Sequence, residues 1–288
     1  MHDSIGGEVF GYHAGMIKGI QGWRGGGDEA ALIAAAEAAR RAGFEAFEPV
    51  LSLEGLASIA ADEPTIRRLG EAVRGTGLEI FSAACPLLRR CPLSAADQQF
   101  RQQARQLVIA ALDRAAWLGA GALVVEAGRL ASVDDPRRQE VSYADALNAV
   151  FESLRVLSFE AESRGVVLAI ENPADAFLLS PVEMRDLVDR VGSPWVQVCL
   201  DVVRVRRHGF PADWIDTLGP RIVHVHLADL RVAAPGGEDT CLPGGGEVEW
   251  PAVVAALKRQ GYRGPLTCVG PGEPAEAARR LAAVLGSA

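Results

Sequence analysis

Short apolar runs that read as strands alternate with helix-like segments from one end of this chain to the other. The candidate strands are VFGYH (9–13), FEAFEPV (44–50), LEIFSAAC (78–85), ALVVEAG (122–128), VVLAIEN (166–172), VQVCLDV (196–202), IVHVHLA (222–228) and PLTCVG (265–270). Strict β/α alternation requires parallel strands joined by right-handed crossovers. Eight such units predict a (β/α)₈ TIM barrel in a single domain spanning 1–288. An open doubly wound sheet would show a glycine-rich phosphate turn after its first strand. GWRGGG (22–27) lacks the GxGxxG spacing and lies well past the expected first strand.

The intervening segments carry helix-end signals. Asp28 precedes ALIAAAEAARRA and Gly43 follows it. Ser94 and Asp97 have the spacing of a capping box, ahead of an apolar face formed by Phe100, Ala104, Leu107, Val108, Ala111 and Leu112. Leu147, Val150, Phe151 and Leu154 mark a helix that stops near Gly165, and Ser180, Pro181 and Glu183 open another. FPADWIDTLGP (210–220) has room for a short helix only. The glycine-rich stretch 231–250 is expected to fold over the C-terminal mouth of the barrel as a mobile lid.

A net charge of −8 and the absence of an arginine stripe argue against a nucleic-acid partner. The five cysteines lack CxxC spacing, no signal peptide is visible, and no apolar run is long enough to span a bilayer. A cytoplasmic protein with a small-molecule substrate, no membrane contact and a homo-oligomeric state open to it is the expectation.

Chemistry in such a barrel sits at the C-terminal strand ends, and polar residues cluster there: Glu48, Glu126, Glu171 with Asn172, Asp201, His226 and Asp229. Buried carboxylates need a partner, a proton or a metal. Glu171, Asp201 and His226 would suit Mn²⁺, Zn²⁺, Co²⁺ or Fe²⁺. His224 lies one pleat deeper, as a supporting partner or as part of the substrate floor. Both histidines could instead be core residues that hold backbone groups. Glu48 and Glu126 are acid/base or substrate-orienting candidates, or buried carboxylates paired with an arginine such as Arg129.

The stretches GFEAFEP (43–49), LAIENP (168–173), CLDVVR (199–204), HVHLADL (224–230) and LPGGGEVEWPAVVAALKRQGYRGPLT (242–267) resemble the xylose-isomerase-like TIM barrels, in particular the sugar phosphate isomerases and epimerases. The resemblance implies one divalent ion (Mn²⁺, Zn²⁺, Co²⁺ or Mg²⁺) held by a Glu, an Asp, a His and a second Glu from the last four strands. Carried over, the first three are Glu171, Asp201 and His226. It also implies an isomerase, epimerase or related dehydratase or lyase that moves a proton next to a carbonyl of a small sugar, polyol or hydroxy or keto acid. Glu171, Glu48 and Glu126 are then the catalytic candidates. Arg204, His224, Asn172 and Arg231 are the substrate-binding ones.

Two positions depart from the family. Its Asp-x-x-His pattern ends here in Arg204, a rigid fork suited to an anionic substrate group or to a salt bridge with Glu171 or Asp201. Val269 stands where the last strand should deliver the fourth ligand, which leaves metal binding weak or absent. Glu273 is a candidate substitute, and Cys268 should point away from the interior if Val269 points in. The alternative is a metal-free barrel: a metal-independent biosynthetic enzyme or a small-molecule binding protein. A related metal-dependent endonuclease is excluded by the net charge and by only five histidines.

Overall fold

The computed structural model describes residues 15–22, 28–135, 137–173, 176–233 and 237–286. Eight parallel strands form the barrel: β1 (Ile17–Gly22), β2 (Ala46–Pro49), β3 (Ser82–Cys85), β4 (Ala122–Glu126), β5 (Val167–Glu171), β6 (Val196–Asp201), β7 (Ile222–Leu227) and, last in the chain, β10 (Pro265–Cys268). The hydrogen-bonded order is β2-β1-β10-β7-β6-β5-β4-β3. Isolated bridges Ala46–Glu79 and Val50–Ala84 bring β2 against the β3 region and nearly close the ring.

Along β4 and β5, Leu123, Val125, Leu168 and Ile170 face the helix layer and join the main core. Ala122, Val124, Val167 and Ala169 face inward. Both faces are buried, as parallel strands between helices require. The inward side chains are small, and continuing the alternation by one step puts Glu126 and Glu171 at the upper end of the interior, directly paired in register.

The helix ends follow the sequence signals in most places. Asp28 accepts from the Ala31 amide, and Gly43 ends that helix at φ 94°. Ser180 and Glu183 form a reciprocal capping box. Pro211–Leu218 is a short helix, as expected. The helix Gln98–Leu118 departs from expectation, because Asp97 caps it and not Ser94. The Ser94 hydroxyl is taken instead by the backbone of Arg129. Phe100 is exposed, because the buried stripe begins one turn later at Ala104.

The first strand is the larger correction. VFGYH (9–13) lies outside the described residues, and the first barrel strand is IKGIQG, so the glycine-rich 22–27 stretch follows it directly. Packing requires the glycines that disguise this strand. A Cβ on Gly19 would lie 2.7 Å from Thr267 Oγ1, and one on Gly22 would lie 2.5 Å from the Phe47 ring. The 231–250 segment is not structureless either. An antiparallel hairpin, β8 (Asp229–Ala233) and β9 (Gly237–Cys241), occupies its first half. No helix among the described residues is long and apolar enough to cross a membrane.

The contact between β1 and β10 predicts that Gly19→Ala destabilises the barrel by about 1–3 kcal/mol through overpacking. Thermal unfolding should show Tm lowered by several degrees. An unchanged Tm would contradict the close approach.

Candidate active site

Four carboxylates, two imidazoles and one guanidinium meet at the C-terminal end of the barrel. Glu48 on β2 lies deepest, buried to 2 % exposure. It accepts from Gln21 Nε2 at 2.8 Å and from Ser82 Oγ at 2.5 Å. The same carboxylate meets His224 Nε2 at 3.1 Å and His226 Nε2 at 3.0 Å. The other ring nitrogen of His226, Nδ1, lies 2.6 Å from Glu171 Oε1. Both nitrogens of His226 therefore face carboxylate oxygens, an arrangement that favours the doubly protonated ring.

Arg204 completes the cluster from the short helix Val202–Arg206, which starts where β6 ends. Its Nη1 lies 2.8 Å from Glu171 Oε2, its Nη2 2.8 Å from Glu126 Oε1, and its Nε 3.3 Å from Asp201 Oδ2. Nη1 also donates to the Asn172 carbonyl at 3.3 Å. Asp201 caps the helix, since its Oδ1 accepts from the Arg204 amide at 3.0 Å.

These contacts divide the carboxyl groups into two kinds. Burial would raise Glu48, but His226 and His224 outweigh it and hold its pKa well below the ordinary range. For Glu171, burial is likewise outweighed, chiefly by Arg204 and then by His226, so this group stays ionised. Burial wins at Glu126 and Asp201, whose pKa values rise despite Arg204. Burial opposes a charge on His226, yet Cys199, Glu48 and Glu171 around it raise its pKa well above that of a free imidazole. Since burial pushes the Cys199 thiol to about 12, the charges acting on His226 near neutral pH are those of the two glutamates.

A cavity of about 360 Å³ opens above the cluster, lined by Glu126, Glu171, Asp201, Arg204 and His226. That volume suits a small molecule. Val269 forms part of its wall, so the last strand presents an apolar side chain where the family's fourth ligand was expected. Cys268 lies in the outer core, as the alternation requires.

The remaining candidates lie elsewhere. His224 is a partner of Glu48 beneath the cavity. The Asn172 amide bonds both backbone groups of Asp201 and so ties β5 to β6. Arg231 is exposed and donates to the Gly245 carbonyl, away from the cavity lining. Glu273 is exposed. Arg129 pairs with Glu140, and the arginines on Glu126 are Arg204 and Arg89. Asp229 is fully buried and accepts from the amides of Leu230, Gly244 and Val248 and from Trp250 Nε1. It anchors the segment that brings Thr240 to the cavity wall.

Sequence reasoning missed Gln21, Arg89 and Arg207, all on the cavity wall. Gln21 was hidden by the misplaced first strand. Arg89 follows β3 in the CPLLRR run (85–90), a strand end that carried no acidic signal.

A family model described as a xylose isomerase-like TIM barrel matches residues 36–287. The chain belongs to that family. Among curated relatives of this xylose isomerase-like barrel is a D-psicose 3-epimerase of Enterocloster bolteae, 33% identical over 116 residues, which are 39% of this chain and 36% of that protein. Another is a 2-epi-5-epi-valiolone 7-phosphate 2-epimerase of Actinoplanes sp., 34% identical over 113 residues, 39% of this chain and 37% of that one. The chain thus spans little more than a third of the length of these relatives. Among solved structures, D-allulose 3-epimerase from Methylomonas sp. superposes with a TM-score of 0.75 at 16% identity, over 96% of this chain and 98% of that one. An L-ribulose 3-epimerase gives 0.75 at 18% identity, over 94% and 95% of the two chains. At such identities the likeness is one of fold.

The residues present do not fit the family's four-ligand divalent site. Both oxygens of Glu171 and both of Asp201 accept from donors of this chain, and both nitrogens of His226 face carboxylates. Among the described residues, the compact sets of potential ligands are Glu48–His224–His226 and Glu171–Cys199–His226, and neither contains Asp201.

The Asp229 anchor predicts that Asp229→Ala, which leaves buried N–H donors unpaired, lowers stability by about 3 kcal/mol or more. Urea unfolding measures it, and a loss below about 0.5 kcal/mol, the size of an ordinary surface substitution, would contradict the anchoring role.

Proposed function

We propose that this barrel is a sugar isomerase or epimerase that moves a proton at a carbon next to a carbonyl. One observation carries the reading: Glu171 and Glu126, paired in register on β5 and β4, line one cavity with their protonation drawn in opposite directions. Two carboxyl groups whose surroundings separate their pKa values divide into a base and an acid. Glu171, ionised beside Arg204 and His226, takes the proton. Glu126, biased toward its neutral form, gives one to the oxygen or carbon that needs it. The names of the two curated relatives given above, each an epimerase, support the same reaction class.

Glu48 works from below the cavity. Its charge keeps His226 protonated, and His226 in turn orients Glu171 through Nδ1. Asp201 fixes Arg204 by capping its helix and by meeting its Nε. The implied metal ligands Glu171, Asp201 and His226 therefore act here as base, anchor and orienting cation.

Solvent-deuterium exchange tests the reading. Wild-type protein incubated in D₂O with D-allulose, D-tagatose or L-ribulose should wash deuterium into the carbon next to the carbonyl of at least one of them, read by proton NMR. Glu171→Gln should slow that exchange by about 10²–10⁴-fold, the usual contribution of a placed base. Glu126→Gln should slow product formation more than it slows wash-in. Exchange in Glu171→Gln at the wild-type rate, or wash-in into none of the three ketoses, would overturn the assignment.

A further inference from the structure

We propose that Arg204 is the resident cation of this site, standing in the electrostatic place that a divalent ion takes in the family, so that the barrel binds no such ion and works without one. The part that concerns catalysis rests on the proton-transfer reading above. The part that concerns ion binding does not.

The geometry is that of a filled site. The guanidinium is shared among Glu126, Glu171 and Asp201, each within 3.3 Å. Two of these are the carboxylates the resemblance would give to a metal. An ion entering between them would meet a permanent positive charge, because arginine does not lose its proton near neutral pH. It would also have to strip His226 from Glu48 or Glu171 to gain a nitrogen lone pair. The fourth corner offers the methyl groups of Val269.

The deeper sets of potential ligands are committed in the same way. Glu48 receives four donors, from Gln21, Ser82, His224 and His226. Cys199 shares its set with His226, both of whose ring nitrogens already face carboxylate oxygens, and with Glu171, whose two oxygens meet His226 and Arg204. Two substitutions relative to the family pattern are thus complementary: Arg204 adds a fixed cation, and Val269 removes an anion that this cation would otherwise have to share.

Arg204 retains the means to act on a substrate. A guanidinium has five N–H donors. Four are used by Asp201, Glu171, the Asn172 carbonyl and Glu126, and the group still lines the cavity. The remaining Nη2 proton and the guanidinium face are available to a carbonyl oxygen. As Glu171 takes the proton, the C–H electron pair becomes the C=C bond of an enediolate. The carbonyl π pair moves onto oxygen, where Arg204 offsets the charge. Return of a proton to carbon reverses each change, with no net oxidation and no co-reactant. The role asked of Arg204 is that of a preorganised oxyanion partner.

Calorimetric titration of EDTA-treated wild-type protein with Mn²⁺, Co²⁺ and Zn²⁺ should show no saturable binding up to about 1 mM, the weak end of specific affinity. Deuterium wash-in should be unchanged by EDTA. The double variant Arg204→His/Val269→Glu, shown folded by circular dichroism, should gain saturable Mn²⁺ binding, at least about tenfold tighter than wild type. Saturable wild-type binding at any concentration up to about 1 mM, or wash-in lost on EDTA treatment, would overturn the proposal. So would a folded double variant that still binds no ion. If the double variant does not fold, the wild-type titration and the EDTA comparison decide alone. If no sugar shows wash-in, the enzymatic reading fails while calorimetry still judges the ion.

Discussion

Three carboxylates held around one partly buried guanidinium set the terms for the rest of this site. Buried acids at a barrel mouth repel one another unless their charge is removed or balanced. Arg204 balances them from inside the chain, and it does so unevenly. Glu171, which also has His226, keeps its charge, whereas at Glu126 and Asp201 burial outweighs the guanidinium and pushes them toward their neutral forms. A carboxyl group drawn toward its neutral form and one held in its charged form therefore arise next to each other from the same residue type. Their difference comes from what each one touches.

That arrangement depends on supports that never reach the cavity. Glu48 and His224 form a buried base under His226, Asn172 ties the end of β5 to that of β6, and Asp229 gathers the loop after the hairpin. Removing one partner of a buried ion pair costs more than the pair contributes, because the other charge is left unbalanced. The cluster is therefore expected to respond as a unit, with substitutions at Glu48, Glu171 and Arg204 coupled and not additive.

Much of the barrel could be read from the sequence because buried parallel strands leave a plain signal: β4 and β5 are runs of Val, Leu, Ile and Ala that end in Glu126 and Glu171, and β6 and β7 are mostly apolar runs that carry Asp201 and the two histidines. β1 left no such signal. Its close approach to Thr267 and Phe47 demands Gly19 and Gly22, and glycine carries no hydrophobic pattern. The strand ends identified Glu126, Glu171, Asp201 and His226 as residues that converge, and alternation placed Val269 on the inside and Cys268 on the outside. Sequence could not reveal which group pairs with which. Arg204 was open to two roles, substrate clamp or internal salt bridge, and only its position beside three carboxylates at once supports the second. Asn172 and Asp229 looked like site residues because they end strands, yet their side chains are occupied by backbone N–H and C=O groups and an indole N–H.

The most direct measurement of the central claim is anomalous diffraction from a crystal of the wild-type protein soaked in Mn²⁺. Arg204 should remain within hydrogen-bond distance of Glu126, Glu171 and Asp201, with no anomalous peak among Glu171, Asp201 and His226. A manganese peak coordinated by those three residues, with the Arg204 side chain turned out of the cluster, would contradict it.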